Sequence, residues 1–345
     1  MFSPEIHPDR TVTFRVRAPN ATNVSVSGEG IGRATQMERD ERGVWSATIG
    51  PLEPNLYSYS FVLDGFRILD PANPVVKPEL LPSTSVLYVP GDKPLIIDFD
   101  PSVPHGTVRL HEYESKSLGK LRGLRVYTPP GYDQNSRAKY PVLYLLHGAG
   151  DNQDTWTEFG HAHFILDNLI ARGKARPMIV VMPDGHASFA QPQNTSTNAA
   201  GRNMAAFERD FTEDIMPFVE KNYRVRPGRE NHAIVGLSMG GGQSLTIGLN
   251  HLDLFAWVGG MSSSVPNQET FAGLLKDPKV TNKKLMLLWF ACGQSDGLLA
   301  RNKQLDGTLT EHGVRHTFVT TDGAHEWRVW RGNLEAFAPL IFTGK

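Results

Sequence analysis

The stretch from His232 to Ser244, His-Ala-Ile-Val-Gly-Leu-Ser-Met-Gly-Gly-Gly-Gln-Ser, constrains the fold of this chain more than any other. Ala233 to Val235 is a short apolar run of the kind that forms a buried strand, and a helical pattern continues to about His251. Between them stands Gly236-Leu-Ser-Met-Gly240. A serine placed this way between strand and helix sits on a sharp turn, with glycines where backbone must pass closely. The turn lifts the Ser238 hydroxyl above the sheet edge, at a helix N-terminus whose dipole favours negative charge. A five-residue pattern also arises by chance, and a glycine-rich turn with a serine N-cap would read the same. The nucleophile reading therefore depends on whether the chain supplies a base, an acid and an oxyanion hole.

The flanking sequence alternates strands with helices. Residues 108–114 and 124–127 read as an antiparallel pair closed by Pro129-Pro-Gly-Tyr132. Strands follow at 140–146, 178–182, 233–235, 255–260, 285–291 and 316–320, with helices at 161–172, 205–223, 298–312 and 327–342. Phe207, Phe211, Ile215 and Phe218 mark the buried face of the second helix. Repeated βα units predict a doubly wound, mostly parallel sheet covered by helices, an α/β fold whose active residues sit at the strands' carboxyl ends.

That rule selects two further residues. The strand 285–291 runs into Cys292-Gly-Gln-Ser-Asp296, and the strand 316–320 runs into Thr321-Asp-Gly-Ala-His325. The order Ser238, Asp296, His325 is the chain order of α/β-hydrolases. His325 would take the proton from Ser238, while Asp296 would hold the imidazole's tautomer and stabilise its charged form. Asp322 and Glu326 are rival acids, but both lie too close to His325 in sequence to fit as well as a strand-end acid. An oxyanion hole needs two backbone N–H groups. Met239, after the nucleophile, should supply one, and Ala149, in the glycine loop His147-Gly-Ala-Gly-Asp-Asn152, the other. His147 reads as a residue that orients this loop. His161 and His163 face different sides of a helix, and no clustered Cys/His pattern is present, so neither metal nor other cofactor is expected.

The first ninety residues follow a different period. Residues 11–17, 24–27, 44–49, 56–63 and 85–89 are short alternating runs broken by turn residues, with Asp64-Gly65 marking a hairpin. This predicts a small all-β immunoglobulin-like sandwich over residues 1–90. Eight prolines between Asp70 and Pro104 make the connection a stiff strap; we place a Pro-rich linker at 91–104 and a catalytic domain at 105–345. Trp45, Tyr57 and Tyr59 are either core or a sugar-stacking platform, and core is the expectation.

A net charge of −1 gives no reason to expect nucleic acid or an acidic membrane surface as partner, and no apolar run approaches the ~18 residues of a membrane-spanning helix. The one cysteine, Cys292, admits no intramolecular disulfide and reads as a buried structural thiol. The chain opens without a basic and apolar leader. We expect a secreted or periplasmic protein whose signal peptide is not part of this sequence, with a cytoplasmic address as the alternative.

Several motifs together carry a family resemblance. Tyr144-Leu-Leu-His-Gly-Ala-Gly150, Trp156, Met182-Pro-Asp-Gly185, Gly236-Leu-Ser-Met-Gly-Gly241, Cys292-Gly-x-x-Asp296 and His325-Glu-Trp-x-x-Trp330 resemble the esterase D-like α/β-hydrolases, which include carbohydrate esterase family 1. Phe14-Arg-Val-Arg-Ala-Pro19, Gly43-Val-Trp45, Leu56-Tyr-Ser-Tyr59 and Asp70-Pro71 are similar to the early-set modules, carbohydrate-binding-module-like, that precede such enzymes. The pattern from His325 to Leu334 looks most like feruloyl esterases with an N-terminal module. The resemblance implies a serine esterase that frees hydroxycinnamic acids from plant cell-wall polysaccharide such as xylan, through an acyl-enzyme on Ser238. Its substrate would be a small or polysaccharide-linked ester, bound beside Gly148, Trp156, Ser188, Phe189, Gln191 and Trp327. Enterochelin-type siderophore esterases and acetyl-xylan esterases are the enzyme alternatives, the former favoured if Arg202, Arg328 and Arg331 face the site. A non-catalytic carbohydrate-binding relative is the alternative from another class.

Overall fold

A computed structural model describes residues 2–187, 199–266 and 271–343. The N-terminal part is a sandwich of two antiparallel sheets. Its strands are β1 (Glu5–Ile6), β2 (Val12–Arg17), β3 (Val24–Gly28), β4 (Gly32–Gln36), β5 (Glu38–Arg39), β6 (Val44–Ile49), β7 (Asn55–Leu63), β8 (Phe66–Ile68) and β9 (Ser85–Val89). One sheet has the order β1-β2-β6-β5; the other has β4-β3-β7-β8, with β9 also on β7. Val12, Phe14 and Val16 alternate into the core against Val24, Val26, Tyr59 and Phe61. Trp45, Tyr57 and Tyr59 are buried, and each gives its polar hydrogen to an internal acceptor: Ala18 O at 2.9 Å, Glu53 O at 2.6 Å and Asp70 Oδ2 at 2.7 Å. They are core, and none offers a face to a sugar.

Among the described residues the larger sheet has eight strands. It begins with the hairpin β10 (Thr107–Ser115) and β11 (Lys120–Thr128), and continues with β12 (Val142–Leu146), β13 (Ile179–Pro183), β14 (His232–Gly236), β15 (Trp257–Met261), β16 (Leu287–Gly293) and β17 (Thr317–Thr321). The order is β10-β11-β13-β12-β14-β15-β16-β17; β10 and β11 are antiparallel and every pairing from β13–β12 onward is parallel. The five residues of β12 and of β14 are all buried, as a sheet covered on both faces requires.

Among the described residues the helices are α1 (Thr155–Glu158), α2 (Ala162–Ala171), α3 (Ala199–Asp210), α4 (Met216–Asn222), α5 (Met239–Asn250), α6 (Ala272–Lys276), α7 (Pro278–Lys284), α8 (Leu299–Glu311) and α9 (Trp327–Phe337). The single long helix expected over 205–223 is α3 and α4 joined by a π-helical stretch, Phe211–Ile215. Pro217, near the start of α4, has no N–H to return to an earlier carbonyl, and the widened turn absorbs that defect. Helices α6 and α7 occupy a stretch with no predicted element. Asp277 caps Val280 N–H at 3.0 Å, with Pro278 next, a start signal present in the sequence.

The Pro-rich segment does not hang free. Ile97 is buried in the second domain's core, and Asn168 on α2 gives its amide to Ile96 O and Asp98 O at 2.9 and 3.0 Å.

Candidate active site

The geometry of the turn after β14 explains its glycines. A Cβ on Gly236 would lie 2.4 Å from Gly240 O, and one on Gly240 would lie 2.4 Å from His147 O. Between them Ser238 has φ 53° and ψ −113°, a conformation that costs a non-glycine residue about 1–3 kcal/mol and persists only where the surroundings over-determine it. Those surroundings are backbone bonds: Ser238 N–H donates to Met261 O at 2.8 Å, and Ser238 O accepts from Ser264 N–H at 2.9 Å.

The strand ends bring the other two groups to this serine. Ser238 Oγ is 2.9 Å from His325 Nε2, and His325 Nδ1 is 2.9 Å from Asp296 Oδ2. The Asp296 carboxylate is buried whereas the His325 ring is part-exposed, as a proton carrier between substrate and interior must be. Burial pushes the Asp296 carboxyl up, but the Leu298 N–H, the Ser262 hydroxyl and His325 outweigh it and hold the group below its ordinary value. It is therefore an anion at neutral pH, able to stabilise an imidazolium. Of the rival acids, Asp322 is exposed and Glu326 pairs with Arg328 at 3.0 Å.

Met239 opens α5, where a helix's first N–H groups have no intrahelical acceptor. Gly148 adjoins the nucleophile: a Cβ there would lie 2.7 Å from Leu237 Cδ1 and 3.4 Å from Ser238 Cβ. Ala149 follows it in the exposed part of the loop. His147 is buried and neutral-tautomer in its bonding, since Nε2 accepts from Gly185 N–H at 2.8 Å and Nδ1 faces Gly148 O at 2.8 Å. His147, Asp184 and His186 bring one ligand atom each within 4.8 Å of one another. The free lone pair of His147 is spent on Gly185, and Arg122 stands 4.0 Å from Asp184, so this cluster ties the loops after β12 and β13 together rather than framing a cation site.

The expected substrate lining needs correction. Trp156 and Trp327 are core residues, each 1% exposed and packed edge-on to one another at 4.9 Å. The Trp156 indole N–H donates to Leu146 O at 3.1 Å, so its polar edge is also spent inside the protein. Ser188, Phe189 and Gln191 lie outside the described residues. Arg331 is also buried, bonded to Phe159 O, Asn55 Oδ1 and Leu56 O, and cannot meet a substrate's charge. Arg328 is paired with Glu326, and Arg202 is exposed on α3. Cys292 is buried, which pushes its thiol up to about 12 and leaves it unreactive. Sequence reasoning missed what touches the glycine loop from the other domain: Leu80 N–H donates to Gly150 O at 2.8 Å, and Lys77 pairs with Asp151 at 2.9 Å. Nothing in the strap's composition signals either contact.

Comparison with known proteins adds the following. Residues 115–340 match the family described as "Putative esterase", and residues 2–76 match carbohydrate-binding module 48, the isoamylase N-terminal domain. The chain is 31% identical over 346 residues to an endo-1,4-beta-xylanase/feruloyl esterase of Xylanibacter ruminicola, a match that takes in 98% of the chain and 46% of that protein. The chain thus spans less than half the length of this relative. Among solved structures, a CE1 ferulic acid esterase from Anaeromyces mucronatus in complex with ferulic acid is 26% identical, with a TM-score of 0.63 over 72% of this chain and 94% of that one. The enterobactin esterase of Shigella flexneri, at 21% identity and a TM-score of 0.69, covers 95% of this chain and 92% of its own, and shares the two-domain fold.

Proposed function

The chain belongs to the esterase family, and on that premise we propose that it is a serine carboxylesterase releasing hydroxycinnamic acids such as ferulate from plant cell-wall polysaccharide. The observation that carries the reading is the unbroken chain of contacts from Ser238 Oγ through His325 to Asp296. His325 Nε2 takes the proton as Ser238 Oγ attacks the ester carbonyl. The N–H groups of Met239 and Ala149 hold the oxyanion, and the imidazolium then protonates the departing sugar oxygen. Water, giving its proton to the same nitrogen, attacks the acyl-enzyme and releases the acid together with free Ser238.

The choice of acyl group is supported by the relatives, a xylanase/feruloyl esterase and a ferulic acid esterase holding ferulic acid. A catechol siderophore carries much negative charge, and the burial of Arg331 removes one cation that would have met it. We place the enzyme where such polysaccharide is met, outside the cytoplasm. Methyl ferulate, naphthyl acetate and a catechol siderophore, assayed side by side with the native protein and Ser238→Ala, test the reading. We expect methyl ferulate to give the highest kcat/KM and the variant to be inactive but folded. Turnover by the variant would overturn the mechanism; preference for the siderophore would overturn the substrate.

A further inference from the structure

The pattern from His325 to Leu334 contains two arginines, Arg328 and Arg331, and two tryptophans that the chemistry at Ser238 does not use. Their surroundings show what they serve. Arg331 reaches out of α9 into the sandwich, where its guanidinium meets Asn55 Oδ1 at 2.8 Å and Leu56 O at 3.1 Å on β7. The turn after β3 reaches back. Glu29 enters the second domain and accepts the backbone N–H of Trp327, the first residue of α9. The residue before it, Glu326, gives the helix no side-chain cap of its own. A carboxylate at that place satisfies an otherwise orphaned N–H and lies at the positive end of the helix dipole. Helix α9 is thus capped by a residue from another domain, 298 positions away in the chain. His325 stands two residues before the capped N–H, and its ring packs edge-on against Trp330 of the same helix at 4.9 Å.

The same module touches the other side of the site. Lys77 pairs with Asp151 at 2.9 Å, Leu80 N–H donates to Gly150 O at 2.8 Å, and Thr155 Oγ donates to Pro78 O at 2.6 Å. Asp151 Oδ2 is 3.7 Å from where a Cβ on Gly148 would stand. Lys77 and Arg331 both lie over the rings of Phe159 and Trp327, so two cations and three carboxylates, Glu29, Glu79 and Asp151, gather at one seam between the domains. Lys77 also has Glu79 of its own strap at 3.3 Å, whereas its pairing with Asp151 exists only while the domains are joined.

We propose that Glu29 is a positioning residue for the reaction at Ser238: by capping α9 across the domain boundary it sets the place of His325. The strap from Lys77 to Leu80 sets the glycine loop in the same way. The module is accordingly part of the catalytic frame, whatever it does with carbohydrate. This rests on the serine-esterase reading. Displacing a base by an ångström can cost about 10²-fold in rate, so the loss falls on kcat, not on substrate binding.

The test uses the full chain and methyl ferulate, a substrate too small for the module to grip as polysaccharide. Glu29→Ala, shown folded by circular dichroism at the assay temperature, should lower kcat about 10²-fold with KM little changed. Its Ser238 should react correspondingly more slowly with a fluorophosphonate. Glu29→Gln keeps an acceptor oxygen for the Trp327 N–H and should restore most of the rate, whereas Glu29→Met, which keeps the bulk but offers no such acceptor, should not; mere packing would let both restore it. If Glu29→Ala does not fold, Glu29→Asp draws the carboxylate back by one methylene and should show the same fall in kcat. A folded Glu29→Ala or Glu29→Asp protein with native kcat and native phosphonate reactivity overturns the proposal. Failure of the native protein's Ser238 to react at all would instead remove the esterase reading, and the proposal with it.

Discussion

The turn that carries Ser238 and the seam that carries Glu29 solve opposite problems. The turn must stay open to water and substrate, so the charges it would create are transient. What it holds permanently is backbone strain, kept in place by main-chain bonds to Met261 and Ser264. The seam is largely shielded from water and gathers ionisable groups at rest: Lys77, Asp151 and Arg331 are buried and Glu29 is half-buried. Strain of this kind can be built from a few neighbouring residues. Buried charge needs partners of opposite sign, and those of this seam meet only when the two domains close on each other. A site assembled from loops of one sheet is local in construction, but the stiffness of those loops is imported.

The sharpest way to break the open half of this comparison is Asp296→Asn. The amide keeps the shape but cannot stabilise an imidazolium and favours the wrong tautomer, so kcat for methyl ferulate should fall about 10⁴-fold with the fold intact. A fall below about tenfold would return the acid's role to a rival carboxylate, of which Glu326, already paired with Arg328, would be the first to test.

The closed half breaks at Arg331. Burial pushes its guanidinium down to about 10, still charged at neutral pH. Arg331→Met fills similar space but strips Phe159 O, Asn55 and Leu56 O of their donor and leaves Glu29 and Asp151 with Lys77 alone. Removal of one member of a buried charge set costs about 3–5 kcal/mol, measurable by denaturant unfolding. A cost under about 1 kcal/mol would mean that the seam is solvated and that the contrast with the Ser238 turn is false.

These two sites were not equally legible. The glycines at 236 and 240, an aspartate past one strand and a histidine past the next are signals within short windows, and strand-end logic brings them together. Nothing local distinguishes a tryptophan that faces a ligand from one that faces the core, and Trp156 and Trp327 were read toward the ligand for that reason. Glu29 lies in an ordinary hairpin turn, and Lys77 in a run of prolines. Their partners are set by how the sandwich docks, which periodicity does not encode. Arg331, read as a possible cation at the site, belongs instead to the seam, and its place in the sequence distinguishes the two no better. The two-residue strands β1 and β5 are too short to show alternation, and β4, Gly-Arg-Ala-Thr-Gln, is too polar to show it.

The charge of the seam also titrates. Burial pushes the Glu29 carboxyl up to about 7, against the pull of Lys77, the Trp327 N–H and Arg331; Asp151 pushes the same way as burial. A carboxyl raised from 4.5 on folding favours the folded state fully below the lower value and loses that contribution as pH rises through the upper one. Glu29→Gln has no such proton. Its unfolding free energy relative to the native protein should therefore shift in the variant's favour by about 3 kcal/mol between pH 4.5 and pH 8. A pH-independent difference would place Glu29 in contact with water.

The smallest effect tests whether the glycine loop is held as firmly as the seam implies. A methyl group on Gly148 would come within 2.7 Å of Leu237 Cδ1 and 3.4 Å of Ser238 Cβ. Leu237 is buried and has little room to give, and Asp151, fixed by Lys77, restrains the loop from behind. If the strap pins the loop, Gly148→Ala must resolve the clash by shifting Leu237 and the turn, and kcat should fall about tenfold, or ~1.4 kcal/mol. If the loop is free to recede, the rate will hardly change. Combining Gly148→Ala with Lys77→Met separates the two cases. A pinned loop relaxes once Lys77 is gone, so the double variant should lose less than the product of the single losses, whereas independent effects would multiply.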